Sequence, residues 1–576
     1  MTLTNWWYGA ALAAICLTAG CAAMEAPPQV PSAGASVRAA RQMVVAANPL
    51  AAAAGLDILR RGGGAIDAAV AVQMVLTLVE PQSSGLGGGG FLLHYDAGSR
   101  DLTSYDGRET APAAASADMF LRPDGTAMDF DEAVVGGLSV GVPGALRLLE
   151  LAHRAHGRLP WADLFAPAIE LAEEGFPVSP RLHALLADDE HLRRLPAAAA
   201  YFYGGDGSPH PVGTTLRNPA LADTLRRIAA GGADAFYEGR IAGDIAAAVT
   251  RSPLQPGRMS LADLADYAAK ERAPVCAPYR LWRVCGMGPP SSGGVAVLQM
   301  LRLLERFDLV AAGPDSVEAA HLFAQAGRLA FADRDRYLAD PDKVAVPVAQ
   351  LLDDPYLEER SRLIPSDRDL GKAAPGSFAQ QAEWATPPPQ PEPVSTSQIS
   401  ILDADGNAVS FTTSIEGAFG SRLFVDGFLL NNQLTDFAFQ PERGGRPVAN
   451  RIEPGKRPRS SMAPTMVFDA EDRLVLVVGS PGGASIIPYV AKTVIAVLDW
   501  SLDPQAAVDL PNLGNRNGAT ELEEGTPLVR IAQALEAMGH EIKLTTMTSG
   551  LAAILVTPDG LLGGADRRRE GIALGD

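Results

Sequence analysis

Thr396 and Ser414 are the first residues in this chain whose types and placement could do chemistry together. They bound the stretch "TSQISILDADGNAVSFTTS", in which two alternating runs flank a turn signal at Ala404–Asn407. A hairpin with that turn sets Ser414 opposite Thr396, within one residue, at the very start of a strand. Alone, the pair reads as an ordinary Thr–Ser contact on a half-exposed sheet. Three further clusters change that reading. "NNQLTDF" offers Gln433 and Asp436 just past a strand end, and "KRPRSSMAPT" offers Ser460 and Ser461 beside three basic residues. "GSPGGAS" offers Gly482 and Gly483 in a turn whose bare N–H groups could converge on an oxyanion, although a small-residue turn is the simpler account of that cluster alone. Together they list a hydroxyl nucleophile, a carboxylate, further hydroxyls and an anion nest.

Other motifs fail their context. Gly85–Gly90 formally matches G-x-G-x-x-G, yet the run precedes a strand instead of following one and opening a helix. There is no P-loop and no G-x-S-x-G elbow. His153 and His156 lack a nearby acid or Cys to complete a metal set, and read as surface residues on a helix. No metal or cofactor is called for.

The elements that must position these residues divide at a seam. The chain has 576 residues, 47% hydrophobic and 20% charged, enough for two domains or one large multilayer unit. Its net charge of −19 argues against nucleic acid or an anionic membrane surface as partner. "NPLAAAAGLDILRRGGGAIDAAVAVQMVLTLVEP" predicts two helices split at Gly62–Gly64, the second apolar nearly all round and so buried. Strands are predicted at Phe91–Tyr95 and in a run ending near Arg108. Helical patterns dominate from about 130 to 380, and strands with glycine turns dominate from 396 onward. The seam is "PPPQPEPVS", a proline-rich segment that cannot join a ladder and is expected to hold the next peptide bond on a stiff, accessible arm.

At the N-terminus, Trp6 to about Leu17 is apolar, too short to span a bilayer but suited to a signal h-region. Thr18-Ala19-Gly20-Cys21 resembles a bacterial lipobox, which would lipidate Cys21 and anchor the protein to the periplasmic face of the outer membrane. An ordinary signal peptide cut near Ala22-Ala23 is the alternative. Residues 22–37 read as a flexible tether. Cys276 and Cys285 could pair across a short hairpin in an oxidising compartment, or remain two buried thiols.

The motifs "TSQISILDADGNAV", "GFLLNNQLTDF", "KRPRSSMAPT" and "GSPGG" resemble the γ-glutamyltransferase (glutathione hydrolase) family of N-terminal-nucleophile hydrolases. "NPLAAAAGLDILRRGGGAIDAAVA", "SSGLGGGGFLL", "DGRETAP", "VGVPGAL" and "PPSSGGV" do so too, in family order, so the resemblance covers about 38 to 570. It implies an α+β fold, a four-layer αββα sandwich built jointly by both fragments of a precursor cut between Ser395 and Thr396. The boundaries are then 1–21 leader, 22–37 tether, 38–395 large fragment and 396–576 small fragment, the last two remaining associated as a heterodimer.

The resemblance also implies roles. Thr396 is the nucleophile, first for self-cleavage and then for γ-glutamyl compounds such as glutathione. Ser414 orients it, and the Gly482 and Gly483 N–H groups form the oxyanion hole. Arg108, Ser460 and Ser461 hold the substrate α-carboxylate, while Asp436, Gln433 and Glu416 hold the α-ammonium. Glu416 stands where many members have Asn. Water, an amino acid or a dipeptide amine resolves the acyl-enzyme. The segment "AFQPERGGRPVANRIEPG" looks shorter than a lid-bearing loop, so a more open site suited to bulkier or glutaryl-type acyl groups is also expected. A glutaryl-cephalosporin-type acylase is therefore the alternative on the same fold, and an unprocessed, non-enzymatic surface lipoprotein the more remote one.

Overall fold

The computed structural model describes residues 34–379 and 383–576. The leader, the lipobox with Cys21 and most of the 22–37 segment lie outside the described residues. Val37, the last residue of that segment, already begins strand Val37–Ala39.

Two seven-stranded antiparallel sheets form the centre. One runs, in spatial order, Ile572–Gly575, Met43–Ala46, Ser397–Leu402, Ala408–Ser414, Gly89–Tyr95, Leu102–Gly107 and Lys270–Arg272. The other runs Val37–Ala39, Gly560–Ala565, Ala552–Thr557, Leu474–Gly479, Thr465–Phe468, Trp282–Gly286 and Val275–Tyr279. Strand Ser397–Leu402 lies between Met43–Ala46 and Ala408–Ser414, and the latter pairs onward with Gly89–Tyr95. Segments from before and after residue 396 thus alternate within one sheet.

The two-residue period of the strands sorts their side chains into layers. Val44, Ala46, Ile399, Ile401, Val409 and Phe411 pack under helices Pro49–Arg60, Ala65–Val79 and Ala145–His156. Met43, Val45, Leu93 and Ala408 point the other way, onto Met466, Val477, Ala552 and Ile554 of the second sheet. Beyond that sheet, Val284, Val467, Leu476 and Val478 pack against helices Gly293–Leu304, Val317–Tyr337 and Ile486–Leu498. The order is helix, sheet, sheet, helix: the four-layer α+β sandwich expected. Helix Ala65–Val79 is buried along its whole length, as its all-round apolar pattern predicts.

The hairpin keeps the register read from the sequence. Ser397 pairs with Thr413 and Leu402 with Ala408, so the next step outward sets Thr396 facing Ser414. The glycine run beside it is a packing device: a Cβ on Gly88 would sit 2.1 Å from the Ser414 carbonyl oxygen. Strand Gly89–Tyr95 begins two glycines earlier than predicted, because Gly90 lies against Thr412 and Thr413 at a distance no side chain permits.

Cys276 and Cys285 are opposed across the hairpin of the second sheet and joined as a disulfide. The two histidines of helix Ala145–His156 are not the surface residues predicted. His153 Nε2 lies 3.0 Å from the Leu159 carbonyl and 3.4 Å from buried Asp67. His156 Nε2 lies 2.8 Å from the Tyr105 hydroxyl and its ring stacks on His94. Asp67, Tyr105 and His94 come from distant segments, which helix periodicity does not reveal.

Candidate active site

Thr396 enters strand Ser397–Leu402 at its first turn out of the proline segment. Its Oγ1 lies 3.0 Å from Ser414 Oγ, which in turn accepts the Glu416 N–H at 2.8 Å. Thr396 has φ of +88°, a region that β-branched residues strongly avoid. Such a residue carries about 1–3 kcal/mol of strain, which the surroundings must hold in place. Here the strain sits on the residue that follows the bond expected from the sequence to be cut.

The carbonyl of Ser395 is already gripped. Gly482 donates its N–H to Ser395 O at 3.1 Å, and Arg569 Nη2 approaches the same oxygen at 3.4 Å while its Nη1 donates to Thr396 O at 2.8 Å. Gly482 and Gly483 have φ of +139° and +57°, so the turn that aims this N–H depends on glycine. Gly483 is pressed on the upstream chain: a Cβ there would lie 2.3 Å from the Pro393 carbonyl oxygen.

Across the site, Arg108 follows strand Leu102–Gly107 into the interior and is fully buried. Its Nη2 donates to an Asp436 carboxylate oxygen and, at 3.0 Å, to Arg459 O, while Nε donates to Pro458 O at 3.1 Å. Nη1 has no hydrogen-bond partner and lies 3.6 Å from Glu109, whose carboxyl burial pushes up to about 8. Gln433 Nε2 donates to Asp436 at 2.9 Å, and Asn432 Nδ2 donates to Glu416. Burial, then the Asp436 charge, pushes Glu416 well above the usual carboxylate range; burial pushes Asp436 up against the pull of Arg108. A buried Glu416 and a half-buried Asp436, both with raised pKa values, make a site that gains from a cation.

Ser460 and Ser461 are held from the opposite side. The Ser460 carbonyl accepts the Ser292 N–H at 2.7 Å and its hydroxyl at 2.6 Å, and Ser461 Oγ accepts from Arg334 Nη2 at 2.6 Å. Thr396, Ser414, Gly483, Arg108, Glu416, Gln433, Asp436, Ser460 and Ser461 line one cavity of about 30 Å³, together with Glu392 and Pro393; Ser395 does not line it. Gly482 lies at its edge, on the Ser395 carbonyl.

One expectation is overturned. The Ser395–Thr396 bond is not on an accessible arm: Ser395 is 1% and Thr396 4% exposed. Prolines lack the N–H a ladder needs, but the segment still docks. Gln390 Nε2 donates to the Thr435 and Phe437 carbonyls at 2.6 and 3.1 Å, and the Ala385 N–H donates to Pro447 O at 2.8 Å. The expected substrate site is therefore filled by the chain's own segment.

Sequence reasoning missed Arg569, Arg334 and Glu392. Arg569 lies in a basic run near the C-terminus that pattern alone leaves on the surface. Burial, then Arg181, lowers it to about 9, so it remains a cation near neutrality. A buried cation on the Ser395 carbonyl would steady the charge that builds there in the expected self-cleavage. Arg569→Met is expected to slow the appearance of two fragments on a denaturing gel by about 100-fold, the effect of losing one such donor. Cleavage at the normal rate would refute this role.

A four-layer αββα sandwich with a hydroxyl residue opening a central strand defines an N-terminal-nucleophile hydrolase. The family model described as Gamma-glutamyltranspeptidase matches residues 51–576, and the chain belongs to that family. It is 38% identical to the glutathione hydrolase proenzyme of Bacillus subtilis (strain 168), covering 92% of this chain and 91% of that one. It is also 38% identical to the acylase ACY 1 proenzyme of Pseudomonas sp. (strain V22), covering 91% of each. Among solved structures, cephalosporin acylase from Bacillus halodurans superposes with a TM-score of 0.83 at 30% identity, over 96% of this chain and 98% of that one.

Proposed function

We propose that this protein is a self-processing γ-glutamyltransferase and glutathione hydrolase with Thr396 as nucleophile. The observation that carries the reading is the Thr396 hydroxyl, paired with Ser414, next to an upstream carbonyl already held by the Gly482 N–H. In maturation, Oγ1 adds to the Ser395 carbonyl carbon. The C–N bond breaks as the nitrogen takes a proton, leaving an ester on Thr396. Water hydrolyses the ester, giving a Ser395 carboxylate and a free Thr396 amine. That amine, with an ordinary pKa of roughly 7.7–8.0, is partly neutral near pH 7 and takes the hydroxyl proton in the next attack.

The substrate is a γ-glutamyl amide, glutathione above all. Oγ1 bonds to its γ-carbonyl carbon while Gly482 and Gly483 stabilise the oxyanion, and the protonated amine departs. Asp436, Gln433 and Glu416 receive the α-ammonium; Arg108, Ser460 and Ser461 face the α-carboxylate. Water or an amino acid or dipeptide amine then takes the acyl group. The leader pattern and the Cys276–Cys285 disulfide support an exported protein, with Cys21 as a lipid anchor.

The acylase reading has a specific support in the ACY 1 relative and the Bacillus halodurans structure. Release of p-nitroaniline from γ-glutamyl and glutaryl anilides separates the two readings. The γ-glutamyl compound is expected to react at least about 10-fold better, an ammonium on buried carboxylates being a charge-assisted contact. Its KM is expected to fall as pH rises, because Glu416 and Asp436, with pKa values raised by burial, must lose protons before they hold a cation. The glutaryl compound has no ammonium, and its KM should not follow this trend. Preference for the glutaryl anilide would establish the acylase reading, and no turnover of either would refute both.

A further inference from the structure

Arg569 is buried, and among the described residues its hydrogen-bond partners are carbonyl oxygens alone. Nε and Nη2 donate to Thr548 O at 3.2 and 3.1 Å, Nη1 donates to Thr396 O at 2.8 Å, and Nη2 also approaches Ser395 O at 3.4 Å. The acids around it are engaged elsewhere. Asp566 pairs with Arg568, the Glu570 carboxylate accepts the backbone N–H of Arg181 at 3.0 Å, and Glu80 lies 4.0 Å from Arg181 Nε. Burial pushes the Glu80 carboxyl upward, which weakens it as a counter-ion.

The Thr396 nitrogen lies between the two carbonyls of Ser395 and Thr396 that Arg569 touches. In the uncut chain it is an amide and carries no charge. Once freed it is an amine, whose protonated form would face a guanidinium paired only with carbonyls. Like charges so placed disfavour the proton, and the amine, ordinarily at roughly 7.7–8.0, gives it up before the guanidinium does. Thr396, Thr548 and Arg569 all follow the bond expected to be cut, so their contacts stay within one fragment. The other charged groups at Thr396 line the cavity in front of it: Arg108, Arg459, Glu416, Asp436 and, upstream of that bond, Glu392. Arg108 holds Asp436, Arg334 holds Glu392, and burial pushes the Glu416 carboxyl well up. On the proposed mechanism the substrate ammonium then occupies Glu416 and Asp436, which leaves Arg569 to act on the amine.

We propose that Arg569 is a positioning residue of the matured enzyme, whose buried guanidinium keeps the Thr396 α-amine in its free-base form, ready to take the hydroxyl proton in each turnover. The assignment rests on the reading of Thr396 as an N-terminal nucleophile but not on which acyl group is preferred. It begins where the part of Arg569 in self-cleavage ends: the same cation that holds the Ser395 carbonyl before the cut acts on the new amine after it.

The first test follows kcat for the better p-nitroanilide against pH, since KM also carries Glu416 and Asp436. In matured wild type the acid limb is expected below about pH 7, roughly one unit under an ordinary α-amine. Arg569→Met, given time to mature, is expected to move the limb up by about one unit, an approximately 10-fold loss of kcat at pH 6 that nearly vanishes at pH 9. Arg569→Lys keeps the charge and should hold the limb within about 0.3 unit of wild type, whatever it does to the plateau. A merely structural role would lower the plateau and leave the limb in place. A wild-type limb at the ordinary value, or one that Arg569→Met does not move, would overturn the proposal.

The second test needs no turnover. Periodate cleaves the Cα–Cβ bond of an N-terminal threonine when its amine is free, releasing acetaldehyde, and the mass of the small fragment reports the reaction. Against a free peptide beginning Thr-Ser-Gln-Ile, the matured wild type is expected to reach half its maximal rate about one pH unit lower, and Arg569→Met to match the peptide. If Arg569→Met stays uncut, Arg569→Gln, which keeps a donor for the Thr396 carbonyl, takes its place. If that also stays uncut, the wild-type midpoint against the peptide decides, and equality with the peptide would overturn the proposal. A lowered midpoint without turnover of any anilide would refute the proposed activity and leave the action of Arg569 on the amine standing. Turnover with a limb indifferent to Arg569 would do the reverse, and a wild-type chain that never cuts would refute both.

Discussion

Thr396→Ala is expected to remain one uncut chain and to show no detectable release from any acyl donor. On the proposed mechanism, the variant loses the attacking oxygen. Oγ1 is 3.0 Å from Ser414 Oγ, and the Ser395 carbonyl beside it is held by Gly482, so the proposed oxyanion hole remains but has nothing to stabilise. The fold should survive. Alanine keeps the Cβ, loses the β-branch that most disfavours φ of +88°, and leaves both strand neighbours paired. Its melting temperature should lie close to that of uncut wild type. Thr396→Ser keeps a hydroxyl and is expected to mature, more slowly. Two fragments from Thr396→Ala would remove Thr396 from both steps.

Arg108→Gln is expected to have the largest effect of any substitution in the substrate wall. The guanidinium is the cation facing both Asp436 and Glu109, and glutamine is too short to reach the Pro458 and Arg459 carbonyls as well. Breaking a buried pair by removing one partner costs about 3–5 kcal/mol. The activity loss should be large, because the Asp436 that faces the ammonium is misplaced too. The pH dependence has a definite sign. Burial already raises Asp436 and Glu109 in the folded state with Arg108 present, Glu109 to about 8, and loss of the cation raises both further. Groups so shifted stabilise the fold below the unfolded pKa and lose that contribution as pH rises. The gap in melting temperature between Arg108→Gln and wild type should therefore widen as pH rises from about 7 to 9, where Glu109 loses its proton in wild type but keeps it in the variant. A constant gap would mean that packing, not charge, sets the cost.

What the sequence disclosed depended on range. The hairpin register was legible because it is local: a turn signal at Ala404–Asn407 and a two-residue period fix which residues face each other. The helix Ala65–Val79 was legible for the same reason. The gathering of Arg108, Asp436, Ser460 and Ser461 into one wall is not local, and only the family resemblance supplied it. Arg569 and Arg334 escaped because a buried arginine looks like a surface arginine until its partners are known. The proline segment misled in a different way. Its missing N–H groups do bar it from the sheet, yet Gln390 docks it by side-chain donors, which backbone reasoning does not count.

The alternation of strands across residue 396 bears on what the molecule becomes after cutting. Ser397–Leu402 has an upstream strand, Met43–Ala46, on one side, and its hairpin partner is flanked by another, Gly89–Tyr95. Neither fragment contains a complete sheet. Before the cut, unfolding is unimolecular and the tethered halves find each other again. Afterwards the same transition releases two separate chains whose reunion depends on their concentration. The proposed maturation would thus exchange reversible stability for endurance: the cut protein would last as long as its slow unfolding rate allows, and a molecule that opens when dilute would have lost its template.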